Sequence, residues 1–239
     1  MMAAKKLLLL ACCLSSLSLM SCSGTYRSYA DMLKLAFTET PDVKLPYSFL
    51  SSASHDYLYV KHGEQAQVAM ALMFIERGQF KWVSADRVVL VTEQGRIVRT
   101  IGLTNDLVHL TNSSSDPLKK QLKLSSTANW TRLADWQHSE YGYPTTSTFQ
   151  FGPIQSMSFF GVQLEVVPLI ENVHYIAESN FVRFDDKWQN LFWLDAKNGA
   201  VLKSVQLLAP GAEPFELTFI SEVVRQLQRS GKDVAADAI

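Results

Sequence analysis

Leu191-Phe192-Trp193-Leu194-Asp195-Ala196-Lys197-Asn198-Gly199-Ala200-Val201-Leu202 reads as two short apolar runs around an Asn-Gly pair. A two-residue type I′ turn needs positive φ at both central positions, which Asn and Gly tolerate best, so the spacing predicts a tight hairpin with Asn198-Gly199 at its tip. The same grammar runs upstream. Tyr57 to Val60, Ala66 to Ile75, Phe80 to Val83, Arg87 to Thr92, Ile97 to Ile101 and Asp106 to Thr111 are strand-like runs, broken at His62-Gly63-Glu64, Arg77-Gly78 and Glu93-Gln94-Gly95-Arg96. Trp130 to Gln137, Thr145 to Gly152, Val162 to Val167, His174 to Glu178, Asn180 to Phe184 and Phe215 to Ile220 continue it. Short connections join antiparallel neighbours. The expected fold is therefore mainly β, a single antiparallel β-sheet domain built as a curved meander, half-barrel or sandwich, with short N-terminal and C-terminal helices.

The helices are read from a different period. Tyr26, Tyr29, Met32 or Leu33, and Phe37 recur at helical spacing before Thr40-Pro41-Asp42, and Val223, Val224 and Leu227 give Ser221 to Arg229 an apolar face. Pro46 to Ala53 is open between a helical turn and a loop. Past Gln67, Ala66 to Ile75 is apolar on both faces, as expected of a strand buried on two sides or of one lining a lipid cavity. Val162, Leu164 and Val166 alternate with Gln163 and Glu165, so that strand has one wet face.

The N-terminus belongs to no fold. Lys5-Lys6, the apolar stretch Leu7 to Met20 and Leu19-Met20-Ser21-Cys22 form a signal peptide ending in a lipoprotein processing site. Leu9-Leu10-Ala11-Cys12 competes, but its apolar core of about five residues is too short for export. Cleavage makes Cys22 the acylated first residue. One chain, at roughly 0.8 kcal/mol per buried CH2, binds reversibly, and several hold firmly. Ser23 follows with no Asp at the second mature position, which in enteric-type sorting points to the outer membrane. The expected organisation is 1–21 signal peptide, 22–56 anchor and linker with a short helix, 57–230 antiparallel β domain with a terminal helix, and 231–239 flexible tail. Removing 21 of the 239 residues leaves 218, ample for one core. Cys12 and Cys13 leave with the signal, so the mature chain has no free thiol and no disulfide. The formal charge of −1 becomes about −3 without Lys5 and Lys6, and with no basic block nucleic acid is not an expected partner.

Catalytic patterns are missing. His55, His62, His109, His138 and His174 share no metal-ligand spacing, and there is no HExxH, GxSxG, P-loop or dinucleotide fingerprint. Asp185-Asp186 adjoin, so on a strand they would face opposite sides, unlike carboxylates opposed across a glycosidase cleft. No cofactor and no metal are expected, and the chain is not expected to be an enzyme. Of five tryptophans, Trp82, Trp130 and Trp136 are candidates for carbohydrate or partner contact, weighed against a place in the core.

Phe80 to Thr92 (FKWVSADRVVLVT) with Gly95 to Thr100 (GRIVRT) resembles the central signature of the YjbF/GfcB lipoproteins, associated with group 4 capsule and related exopolysaccharide production. Gly102-Leu103, Asp106-Leu107, Asp116-Pro117-Leu118, Trp130-Thr131-Arg132 and Trp193-Leu194-Asp195 look like later blocks of that family in order, and Cys22 matches its anchor. The resemblance implies an accessory lipoprotein on the periplasmic face of the outer membrane. Its implied partners are an outer-membrane β-barrel protein and a periplasmic protein of the same locus, and polysaccharide itself. It carries over no catalytic residue, only Cys22. The alternative is a periplasmic protein that binds lipid or lipid-linked glycan in an apolar cavity, and the third reading is a polysaccharide-modifying enzyme.

Overall fold

A computed structural model describes residues 41–123, 128–137, 140–176 and 187–239. Cys22, the helix expected before Thr40, His138, the strand expected over 180–184 and Asp185-Asp186 lie outside the described residues. All the described strands and helices belong to the compact unit Asp42–Ile239.

Its strands, among the described residues, are β1 (Tyr57–His62), β2 (Val68–Glu76), β3 (Gln79–Val83), β4 (Val89–Glu93), β5 (Arg96–Ile101), β6 (Leu107–Leu110), β7 (Asn129–Trp136), β8 (Glu140–Phe151), β9 (Gln155–Phe159), β10 (Val162–Tyr175), β11 (Lys187–Asp195), β12 (Val201–Gln206) and β13 (Phe215–Thr218). They form one antiparallel sheet in the order β5-β4-β3-β2-β1-β13-β12-β11-β10-β8-β7-β6, with β9 beside β10. The mainly β expectation holds, as a near-barrel. Its two end strands meet through side chains: the Leu107 amide donates to Thr100 Oγ1 at 2.8 Å and that hydroxyl donates to Asp106 Oδ1 at 2.9 Å. Asp106 also accepts the amides of Gly102 and Leu103, which fixes the short link between β5 and β6.

Alternation decides what each face meets. Leu58 and Val60 point inward to Met70, Trp82, Leu90, Ile97, Phe215 and Leu217, whereas Tyr59 between them points outward. The outer face is covered by α1 (Tyr47–Ser52) and α2 (Ile220–Ser230), whose Ile220, Val223, Val224 and Leu227 are buried on Tyr59, Leu164, Val166 and Leu202. Helix α1 resolves the ambiguous Pro46 to Ala53 segment. The last residues, expected as a loose tail, offer the Ala238 and Ala236 carbonyls to the Tyr47 and Ser48 amides at 2.9 and 3.0 Å, supplying acceptors that the first turn of α1 lacks.

Three local expectations need correction. The Asn198-Gly199 hairpin exists, but its turn is not type I′: only Gly199 has positive φ. Asp195 Oδ1 accepts the amides of Lys197 and Asn198, both at 3.0 Å, and stretches the loop to an Asx-type turn. Turns with both central residues at positive φ are instead Arg77-Gly78, Gln94-Gly95 and Phe160-Gly161. Val162 to Val167 and His174-Tyr175 are not separate strands but parts of the continuous β10, which Pro168 does not break, while the end of the run expected to Glu178 lies outside the described residues. The Pro168 carbonyl accepts the Gly152 amide at 2.8 Å in the gap between β8 and β9, so its missing N–H falls where no ladder partner stands. Finally, β2 is not buried on two sides. The pairing with β3 is irregular between Leu72 and Phe74, and beyond it Met73, Phe74 and Ile75 are 49, 62 and 63 % exposed.

Candidate functional site: a buried charge cluster and an open groove

Inside the barrel, strand alternation places charge where apolar residues would be expected. On β7 the inward set is Trp130, Arg132, Ala134 and Trp136, and on β10 it is Leu169, Glu171 and Val173. Glu171 is fully buried between two guanidiniums: Arg96 Nη1 donates to its Oε2 at 2.7 Å, and Arg132 Nη1 lies 3.3 Å from Oε1. Ser147 donates to Oε1 at 2.6 Å while accepting from Arg132, and Asn190 donates to Oε2 at 2.9 Å. Arg96 also clasps Asp116 through Nε and Nη2, and Asp116 caps the turn by accepting the Leu118 amide. The Trp130 ring has a guanidinium carbon 4.5 Å (Arg96) and 4.2 Å (Arg132) from its centroid.

Burial alone would raise the Glu171 pKa, but Arg96 and Arg132 outweigh it and hold the carboxyl at about 2. Burial pushes the Arg132 guanidinium down to about 10, reinforced by Arg96 and opposed by Glu171, so it stays protonated at neutral pH. Arg96 moves upward, because Asp116 and Glu171 overcome its burial. Two cations and two anions balance, and the adjoining void of about 30 Å³, bordered by Arg96, Arg132, Asn190 and Trp188, has room for a water or two. Two carboxylates are gathered from distant segments, but closed in and neutralised they act as a brace. Arg96, Asp116, Trp130 and Arg132 come from the family-like sequence blocks. Glu171 does not, although its inward slot between Leu169 and Val173 was a signal for it.

A groove of about 170 Å³ opens between the Gln94-Gly95 turn, the start of α2 and the β11–β12 hairpin. Phe80, Trp82, Phe219 and Val201 form its apolar floor, with Phe80 stacked over Trp82 at 6.4 Å and the indole N–H donating to Thr92 Oγ1 at 2.9 Å. Gly95 is obligatory at its wall. It has φ +89, and a Cβ there would sit 2.8 Å from Val201 Cβ. On the rim, Arg225 donates to Asp56 at 2.7 Å and Glu222 at 2.8 Å. Gln94 and Gln121 also line it. Both hold left-handed φ, 49° and 51°, and neither side-chain amide makes a hydrogen bond among the described residues.

The tryptophan candidates fare differently from a sugar-contact reading. Trp82, Trp130 and Trp136 are only 4, 2 and 8 % exposed, so none offers a free ring face. Trp130 is held by the arginines and donates to the Asn112 carbonyl at 2.9 Å, and Trp136 joins the core. Only Trp82 reaches the groove, as its floor. His62 stacks on Phe215 at 4.0 Å, and no group of three or more His, Cys, Asp or Glu among the described residues is placed to hold a metal.

Residues 30–220 match the family model described as "Group 4 capsule polysaccharide lipoprotein gfcB, YjbF". The chain belongs to the YjbF family. It is 30 % identical to the uncharacterized lipoprotein GfcB of Escherichia coli K12 over 207 residues, 86 % of this chain and 94 % of GfcB. It is 28 % identical to the uncharacterized lipoprotein YjbF of the same organism over 85 % of this chain and 93 % of that one. The crystal structure of the hypothetical E. coli lipoprotein YmcC superposes with a TM-score of 0.65 at 30 % identity, covering 73 % of this chain and 87 % of YmcC. GfcB, YjbF and YmcC are all named as lipoproteins, and no helix among the described residues is long and apolar enough to cross a membrane.

Proposed function

We propose that this chain is a non-enzymatic accessory component of capsule or exopolysaccharide export, held by acylated Cys22 on the periplasmic face of the outer membrane. The family match across residues 30–220 carries the reading. Leu19-Met20-Ser21-Cys22 supports the anchor, and the closed, self-neutralised interior cluster supports a body that docks or binds rather than one that does chemistry. Its partners under this reading are the β-barrel and periplasmic proteins of the same locus, and the polymer. The apolar-cavity alternative loses its motive, since β2 ends exposed and the interior between β5, β7 and β10 carries four buried charges that an acyl chain would leave poorly solvated.

Deleting the gene is expected to abolish or reduce surface polysaccharide while precursor synthesis continues. Unchanged surface polymer, in cells expressing the locus, overturns the role. For the anchor, C22S is expected to abolish palmitate labelling and release the protein from the membrane fraction. Persistent labelling, or unaltered fractionation, overturns it.

A further inference from the structure

The side-chain amides of Gln94 and Gln121 are two polar groups of the groove that the fold leaves without a partner among the described residues. Gln94 occupies the first central position of a two-residue turn, and Gln121, at φ 51 and ψ −131, has the dihedrals of the first central residue of a type II′ turn. Both conformations suit glycine. A longer side chain is disfavoured there, and neither amide makes a hydrogen bond among the described residues. Yet both amides border the same groove, over a floor of Phe80 and Trp82. Two unpartnered amides converging on one aromatic-floored opening suit a ligand that is apolar on one face and polar at its edge.

We propose that this groove binds one ring of a neutral sugar chain, with the ring's C–H face on Phe80 and its hydroxyls on the Gln94 and Gln121 amides. Three properties select that ligand. About 150 Å³ already accommodates a six-membered ring, so 170 Å³ fits one residue of a polymer whose neighbours continue into solvent. The aromatic floor and planar amides match a group with one apolar face and hydroxyls at its edge, since an amide both donates and accepts. The rim sets the charge: Arg225 on Asp56 and Glu222, with Arg229 3.4 Å from Glu222, sets two cations against two anions, so its carboxylates can accept hydroxyl protons while both arginines are already engaged and hold no place for a carboxylate or phosphate. A neutral unit is therefore favoured here over an acidic one, whatever the units elsewhere along the polymer. The assignment rests on the polysaccharide-export reading and adds the site and the class of sugar.

The test uses the acylated protein in detergent micelles, titrated calorimetrically with maltohexaose, cellohexaose, chitohexaose, hexagalacturonate and fragments released by partial acid hydrolysis of the producing strain's own surface polymer. At least one neutral oligosaccharide is expected to bind, and hexagalacturonate is not. Q94G and Q121G are expected to melt no lower than the wild type and to weaken binding at least tenfold, a pairing that a purely structural role for these glutamines would not produce. F80A provides a third variant in case either glycine change alters the turn. Binding that survives all three changes, tighter binding of hexagalacturonate, or no binding of any oligosaccharide at millimolar concentration overturns the proposal. A null titration beside a deletion strain that has lost its surface polymer would overturn this site alone. A deletion strain with its polymer intact would overturn the export role instead.

Discussion

Arg96, Asp116, Glu171 and Arg132 in the interior, and Asp56, Arg225 and Glu222 at the groove, are the same chemistry in opposite surroundings. In the first set every charged side chain is at most 7 % exposed, and the charges cancel. In the second the side chains are 21–39 % exposed, and the charges are matched only with the help of Arg229, 60 % exposed and 3.4 Å from Glu222. Water therefore does for the rim what the interior must do by geometry. A buried ion with a missing partner keeps its full desolvation penalty, whereas an exposed one is rehydrated. The interior cluster is consequently a brace that ties β5, β7, β10 and the Asp116 turn together, and the rim cluster is free to exchange partners with a ligand.

Removing the hub tests the contrast most severely. E171L leaves two guanidiniums in the core with one carboxylate between them, and is expected to cost about 3–5 kcal/mol in urea denaturation, whereas E222L should scarcely register. Balance, not the number of bonds, is the operative quantity. The double variant R96M/D116N leaves Glu171 paired with Arg132, so it should lose less than the sum of R96M and D116N. Strict additivity would show that the two charges do not act as a unit.

Acid offers the same test without mutation. Glu171 titrates at about 2 in the folded protein against an ordinary 4.5, so the unfolded chain takes up the proton first as pH falls. The stabilisation is complete above about pH 5 and drains away between there and about pH 2, a loss on the order of 3 kcal/mol by linkage. Denaturation midpoints measured from pH 7 to pH 2 should show this decline, and E171L should flatten it. A wild-type curve level across that window would place Glu171 outside the role assigned to it.

Gly95 joins the two regions, since it walls the groove and precedes Arg96. G95A forces a left-handed backbone onto a Cβ and drives it against Val201, and the backbone part alone is worth about 1–2 kcal/mol. Adding V201A should relieve the collision but not the backbone cost, so the double variant should recover part of the lost melting temperature. Full recovery would mean that the φ value carries no penalty.

Strands and short turns show themselves in a sequence through local periodicity, and the β-sheet and α2 are legible for that reason. The turn at Asn198-Gly199 departs from its expected type because the Asp195 side chain, three residues before Asn198, competes for the backbone amides. The continuity of β10 is hidden by Pro168, whose tolerance depends on a gap in a neighbouring strand. The exposed end of β2 has no sequence signal because apolarity reports a preference for burial, and the hairpin carries Phe74 and Ile75 beyond the body that would satisfy it. Of the site, the family-like blocks contain Arg96, Asp116 and Arg132 but not their meeting. Glu171 comes 75 residues after Arg96, and only the closed sheet brings them together. Gln94 is legible as an odd residue in a glycine turn, whereas Gln121 has no local signal.

Arg225 probes the same division from the exposed side. Burial lowers the Arg225 pKa less than Asp56 and Glu222 raise it, so the guanidinium is drawn to its neighbours, but these groups remain in reach of water and salt. R225A should therefore change stability by about 0.5 kcal/mol at low ionic strength, and by less in 1 M salt, where the screening length is roughly 3 Å. The neighbouring carboxylates gain freedom in that variant and, with Arg229 still beside Glu222, the rim's net charge falls from 0 to −1. If the groove takes a neutral sugar ring, affinity should change modestly and stay insensitive to salt. If R225A instead destabilises the fold by several kcal/mol, the rim is as much a brace as the interior, and the division between the two clusters fails.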